Sequence, residues 1–288
     1  KGTALVLRAA QMRRIAMERA VSSPAGVRLL YSEAQRDVTL GNYPVRPAQA
    51  AHLAALVLQV QRGDREPGVP KQGAIAADLA QHVPKYLLRP NVAGPTDTTT
   101  ATAAQDTNTD TTTTTSTSAA GSGSNAKSSE SAAAARWEQE IVRQWELLRG
   151  TDQLAAMQQY LEVCRALPCY GSTFFVARQQ QPPPPQRRDG DITLGVNEWG
   201  LHVVDTRAAR DPDAELVHSY QFERILAWHA DTETFYCDHM PPGAGRERLV
   251  FRTRRGNQIA TLLYAWASVL HPHCAAPPTP PPQQEHKD

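Results

Sequence analysis

Four cysteines in 288 residues, irregularly spaced, supply neither a dense disulfide framework nor the paired C-x-x-C spacing of a zinc site. The sequence also lacks an N-x-S/T sequon, a signal-peptide pattern at Lys1, and any apolar run near the roughly 20 residues that a membrane-crossing helix needs. Charge of one sign is not in excess: 30 Lys and Arg stand against 29 Asp and Glu, a net of +1. A bulk electrostatic drive toward nucleic acid is therefore not expected, although local basic patches stay open. No P-loop, H-E-x-x-H, G-x-S-x-G or dinucleotide fingerprint occurs, so no cofactor is expected and catalysis has no motif to rest on. These absences predict a reduced, cytoplasmic, non-enzymatic protein, and the start at Lys1 reads as a piece cut from a longer soluble one.

What is present is enough apolar sequence, 41%, for one large or two modest domains. Residues 91–135 collapse into Thr, Ser, Ala, Gly and Asp, too apolar-poor to offset an ordering cost of roughly 1 to 2 kcal/mol per residue, and are expected to be disordered. Pro182 to Pro185 reads as a shorter loop, and 272–288 as a Pro-rich disordered tail. Before and after the Thr-rich stretch the pattern is helical. Leu30, Ala34 and Val38 repeat within Val27 to Leu40, and Pro47 opens a second helix filled by Leu53, Leu56, Val57 and Val60. Ala76 to Leu88 is expected to be a shorter helix. Trp137, Ile141, Trp145 and Leu148 continue the period, and Leu154 to Leu167 extends it to Pro168. Residues 27–167 thus form one helical lobe.

Past Pro168 the period changes from helical to alternating. Seven short runs rich in β-branched and aromatic residues follow: Thr173–Ala177, Ile192–Val196, Leu201–Val204, Leu216–Tyr220, Ile225–Trp228, Thr234–Cys237 and Arg248–Arg252. Asn197-Glu-Trp-Gly200 has hairpin-turn chemistry. A closing helix is expected from about Gly256 to Leu270, with Ile259, Leu262, Leu263 and Trp266 on one face. Seven antiparallel strands and one helix, over 168–271, suit a bent sandwich whose open end the helix plugs, as in pleckstrin-homology and phosphotyrosine-binding folds. The fold class is α+β.

Candidate chemistry is sparse. Cys164 lies at the C-terminal end of its helix, where the dipole disfavours a thiolate, and Cys169 has no neighbouring His; both read as packing residues. His271-Pro-His-Cys274 and Cys237-Asp-His239 have metal-binding residue types without zinc-like spacing, and no metal is expected there. Arg246, Arg248, Arg252, Arg254 and Arg255 surround the last strand and the start of the closing helix. They could gather at one edge to engage anionic lipid heads or acidic tails, the alternative being a solvated turn. A groove for an added peptide strand is expected between the closing helix and its nearest strand. Arg8 to Arg19 reads as the end of a preceding lobe or a basic amphipathic helix, and Pro277 to Pro282 as a spacer or a polyproline ligand.

The stretch Tyr160-Leu-Glu-Val-Cys-Arg-Ala-Leu-Pro-Cys-Tyr-Gly-Ser-Thr-Phe-Phe175 resembles the joint between the second and third lobes of a FERM domain, through Tyr160, Leu161, Leu167, Pro168, Tyr170, Gly171, Phe174 and Phe175. Leu30 to Val45 is similar to the opening of the second lobe, and Ile192 to His202 to a hairpin of the third. The likeness is greatest to the MyTH4-FERM tails of the kinesin-like calmodulin-binding proteins of plants and green algae. It implies an acyl-CoA-binding-protein-like helical lobe, then a pleckstrin-like lobe capped by a helix. Residues 1–26 would be the end of a ubiquitin-like first lobe or a linker. The implied role is non-catalytic binding of cytoskeletal filaments or cargo, located in the cytoplasm on the cytoskeleton, with ATP hydrolysis and calmodulin binding placed in other parts of a parent motor. The alternative is a membrane-linking adaptor that uses the five arginines for phosphoinositides and its groove for receptor tails.

Overall fold

A computed structural model describes residues 15–65, 75, 78–89, 92, 94–95, 124–181, 191–211 and 214–270. The residues before Ile15, expected to end a preceding lobe or form a linker, most of the Thr-rich stretch, the Pro182 loop and everything from His271 onward lie outside the described residues. The rest divides into two compact units: residues 15–170 together with 204–218, and residues 171–203 together with 219–270.

The first unit is helical: α1 (Ile15–Arg19), α2 (Pro24–Leu40), α3 (Pro47–Arg62), α4 (Leu79–His82), α5 (Ser124–Leu147) and α6 (Gln153–Arg165). Ser23 opens α2 by accepting from the Gly26 N–H at 3.2 Å, and Asp152 opens α6 by accepting from the Ala155 N–H at 2.9 Å. Each satisfies one of the donors that a helix start leaves without an intrahelical partner. α3 is buried nearly all round, from Ala50 through Val60, because its alanines let α5 and α6 approach closely. Its one buried polar side chain, Gln59, donates to Asp64 Oδ1 at 2.8 Å and to the Thr151 carbonyl at 2.7 Å, and accepts from the Trp145 indole at 2.9 Å. A fully bonded amide avoids the 1 to 3 kcal/mol or so that an unmet buried group costs.

Two expectations need correction in this unit. Among the described residues, the α-helix expected over Ala76 to Leu88 is the four residues of α4, after which Val83 is extended (φ −112°, ψ 135°). Pro84 is the cause: its ring pushes the preceding residue out of the helical region, and the chain continues in turns through Leu88. In the opposite direction, α5 begins at Ser124, inside the stretch expected to be disordered. The run Ala132 to Ala135 has high helix propensity and is continuous with the Trp137 period, so the helix extends back through it.

The second unit is a seven-stranded antiparallel sheet, β1 (Thr173–Gln181), β2 (Asp191–Asn197), β3 (Gly200–Val204), β4 (Val217–Gln221), β5 (Ile225–Ala230), β6 (Thr234–His239) and β7 (Glu247–Arg252), followed by α7 (Gly256–Leu270). The strand order is β4-β3-β2-β1-β7-β6-β5. β1 is shared: it pairs with β2 over Thr173–Arg178 and with β7 only from Arg178 onward. The core combines Leu194, Val196, Leu201, Phe235, Cys237 and Phe251 of the sheet with Ile259, Leu263 and Trp266 of α7, each at most 1% exposed. Such side chains contribute about 1.5 to 3 kcal/mol each on burial. The β2–β3 hairpin turns where the sequence placed it, because Gly200 has φ 140° and a Cβ there would stand 2.1 Å from the Tyr220 carbonyl oxygen. Residues 204–218, which connect β3 to β4, group with the helical unit, where Arg46 bonds the Ala214 carbonyl.

Candidate functional site

The sequence singled out the region around β7 and α7, and the side chains there show what it can do. Arg248 forks onto Asp238, Nε to Oδ1 at 2.7 Å and Nη2 to Oδ2 at 3.0 Å, and Arg246 bonds the same carboxylate. The Asp238 side chain is 4% exposed, and the hydrogen bond from Arg248, helped by Arg246, holds its carboxyl down at about 2. Arg252 reaches Glu233 at 3.1 Å, and Arg255 donates to Gln258 at 3.1 Å. Arg254 is exposed in the turn before α7.

The five arginines are therefore not gathered. Asp238 lies opposite Arg248, while Thr234 and Arg178 lie opposite Arg252, so the two groups are separated along β7 by about 13 Å at roughly 3.3 Å per residue. Arg246 and Arg248 share a carboxylate at one end, and Arg252, Arg254 and Arg255 stand at the other. Three of the five, Arg246, Arg248 and Arg252, are ion-paired. Sequence reasoning noted Asp238 only within Cys237-Asp-His239 and did not pair it with the arginines, because they come from the next strand and cross-strand register is not visible in a single run of residues.

The cysteines behave as expected. Cys164 is fully buried and burial pushes its thiol far up; burial pushes Cys169 and Cys237 each up to about 12. Cys169 donates instead to the Asn42 carbonyl at 3.4 Å. Cys237 points into the sheet core while Asp238 turns out toward the arginines, so Cys237-Asp-His239 does not converge on one point. Among the described residues no group of three His, Cys, Asp or Glu could hold a metal, and no helix is long and apolar enough to cross a membrane.

α7 presents two usable flanks. On one, β5 is the terminal strand of the sheet, and Trp228 leans from it to bond the Ala260 carbonyl of α7 through its indole N–H at 3.2 Å. On the other, an open cavity of about 940 Å³ is lined by Phe175 and Val176 of β1, by Arg255 of the turn before α7, and by Gln258, Thr261 and Leu262 of α7. Thr253 fixes the end of this second flank: its hydroxyl donates to the Val176 carbonyl at 3.0 Å and accepts from the Arg255 N–H at 3.2 Å.

The joint expected at Tyr160 to Phe175 is built as the sequence suggested, and it also holds a buried cluster that the sequence did not reveal. Glu18 of α1 accepts from Arg165 Nε at 2.9 Å and from the Tyr170 hydroxyl at 2.5 Å. Gly171 follows with φ 70°, the left-handed turn that lets the chain leave the helices and enter β1.

A helical lobe followed by a phosphotyrosine-binding-like sandwich with a closing helix defines the class. Residues 17–175 match the FERM central domain and residues 175–270 the PTB domain of IRS-1 type; the chain belongs to the FERM family. It is 25% identical over 272 residues to FERM domain-containing protein B of Dictyostelium discoideum, covering 91% of this chain and 46% of that protein. It is 25% identical over 247 residues to kinesin-like protein KIN-14I of Oryza sativa subsp. japonica, covering 85% of this chain and 16% of that one. The chain spans less than half the length of these relatives. Among solved structures, the C-terminal MyTH4-FERM domain of human Myosin 7b, in complex with harmonin-a PDZ3, aligns with a TM-score of 0.55 at 16% identity, over 87% of this chain and 40% of that one. The MyTH4-FERM MF2 domain of Dictyostelium discoideum Myosin VII aligns at 0.51 and 16%, over 88% and 39%. These two likenesses show the fold.

Proposed function

We propose that the chain is a non-catalytic protein-binding module, the tail FERM region of a kinesin-type motor that engages cytoskeletal filaments or cargo. The observation that carries the binding role is the edge strand β5 beside α7. An extended segment of a partner can add to such an edge, with main-chain hydrogen bonds giving affinity and neighbouring side chains giving selectivity. A bulge between Ile225 and Ala227 leaves Leu226 48% exposed at the mouth of that edge. The motor parent is supported by the likeness to KIN-14I.

The alternative reading, a membrane-linking adaptor that takes phosphoinositides on the five arginines, is disfavoured by their ion pairs with Asp238 and Glu233. A headgroup would have to displace these carboxylates, and Arg246 and Arg248 are held by the same one. Co-sedimentation decides between the two readings. The chain is expected to pellet with microtubules and not with phosphoinositide liposomes. Pelleting with such liposomes that is lost in an Arg252→Glu/Arg254→Glu variant, with no filament pelleting, overturns the motor-tail reading. A proline at Ala227, which removes a backbone donor of β5, tests the edge itself against a bound cargo peptide.

A further inference from the structure

We infer that the cavity between β1 and α7 is a second peptide-binding site, separate from the β5 edge, for an acidic segment carrying an aliphatic or aromatic anchor. The two ligand surfaces use different flanks of one helix: Ala260 faces Trp228 of β5, whereas Gln258, Thr261 and Ala265 face the cavity.

The cavity exists because of how β1 is shared. Over Thr173–Ala177 the strand has β2 on one side, and β7 joins it only at Arg178. Beside that first half stands α7 in place of a strand, held there by the two bonds of the Thr253 hydroxyl. The resulting volume, about 940 Å³, is at the upper end of the roughly 300 to 1,000 Å³ of ligand sites. Its floor is apolar: Leu262 is buried and Phe175 packs against the core. Val176, by contrast, is 67% exposed, an aliphatic side chain in mid-strand turned to solvent. An anchor residue of a partner would cover it and rest on Leu262.

Charge selects the rest of the ligand. Among the described residues lining the cavity Arg255 carries the charge and no acid is present, and Arg254 stands exposed one position earlier. Arg255 has a neutral partner, Gln258, unlike Arg252, which is paired with Glu233, and Arg178, which is paired with Asp191. A carboxylate arriving at this mouth gains a guanidinium without breaking an ion pair, and a charge-assisted bond of that kind is about twice as strong as a neutral one. A basic or uncharged segment gains nothing comparable. The occupant is therefore an acidic peptide of a partner protein.

The test uses the whole chain and two arrays of short peptides, one with Leu or Phe flanked by Glu and Asp and one with Lys replacing every acid. Binding of array hits is measured by fluorescence anisotropy. Acidic peptides are expected to bind and their Lys counterparts not to. The best acidic peptide should lose affinity by about tenfold or more in Arg255→Glu and separately in Thr261→Glu, and keep it in Ala227→Pro. Both substitutions are at exposed positions, Arg255 just before α7 and Thr261 within it, and an acid beside the helix start is compatible with the dipole, so thermal melts should match the parent. Val176→Asp supplies a third variant on the opposite wall. Equal binding of the Lys array, no binding of the acidic array, or loss confined to Ala227→Pro overturns the site. The β5 reading fails separately, since filament or cargo binding should be unaffected by Thr261→Glu.

Discussion

The two units each hold a carboxylate bonded by arginine, and the contrast between these clusters shows what each unit does with charge. In the helical unit the acid and its donors are enclosed: the Glu18 side chain is 1% exposed and that of Arg165 is 8%, with Tyr170 donating from a buried position, and only Glu162, which also pairs with Arg165 at 2.8 Å, reaches water. In the sandwich only the acid is enclosed. Asp238 is 4% exposed at its side chain, while Arg246 and Arg248 are 58% and 52% exposed. An enclosed pair has no water to replace a lost partner, so it behaves as architecture; an acid beneath exposed arginines sets the surface charge.

The contrast predicts a graded series of effects. Glu18→Gln leaves the buried Arg165 guanidinium with the half-exposed Glu162 as its remaining counter-charge and should destabilise the chain by about 3 kcal/mol in chemical denaturation, the low end for a broken buried pair. Glu18→Leu combined with Arg165→Met should recover most of that loss; if the double variant is as unstable as the single, the cluster is not an ion-pair device. The next largest effect belongs to His202. It donates through Nε2 to Asn197 Oδ1 and accepts at Nδ1 from Ser219, both at 2.9 Å, and burial lowers its pKa to about 4. The unfolded chain then binds the extra proton first, so stability should be full above about pH 6.5 and decline by about 3 kcal/mol as pH falls toward 4. Melting curves against pH would show this slope, and His202→Gln should remove it.

Asp238→Asn should cost only about 1 kcal/mol because both arginines already reach water. Its carboxyl is lowered from 3.8 to about 2, so this stability is present above about pH 4 and lost as pH falls to 2, a window below that of His202. Added salt should shrink it, whereas the Glu18 effect should be nearly salt-independent. The smallest effect is expected for Arg19→Ala. Its bridge to Glu162 spans 3.5 Å with both side chains more than half exposed, and denaturation should detect a change below about 0.5 kcal/mol.

The same contrast explains what the sequence made legible. Local periodicity located α2, α3, α6, α7 and all seven strands, since the face each buries repeats within its own residues. The Arg248 to Arg252 run became β7, and the helix from Gly256 ended at Leu270. Pro84 was legible as a breaker and was given too little weight against the apolar residues around it. The clusters were not legible, because Glu18 finds Arg165, and Asp238 finds Arg246 and Arg248, through the fold. Five arginines near one strand looked like one patch until the register of β6 and β7 divided them. The cavity beside Val176 was hidden for the same reason, as it depends on where β7 stops pairing with β1.

That sharing of β1 has a consequence in time as well as in space. Arg178 pairs with Arg252, so the first strand of the sandwich must wait for its seventh before both halves of the sheet close. Loop-closure entropy makes such distant pairings slow to form. On a ribosome the β1–β4 half would emerge with its Leu194, Val196 and Leu201 face uncovered until β7 and the Trp266 helix arrive. The sandwich is thus the part of the chain most exposed to misassociation during synthesis. The helical unit, built on neighbouring turns, can settle earlier.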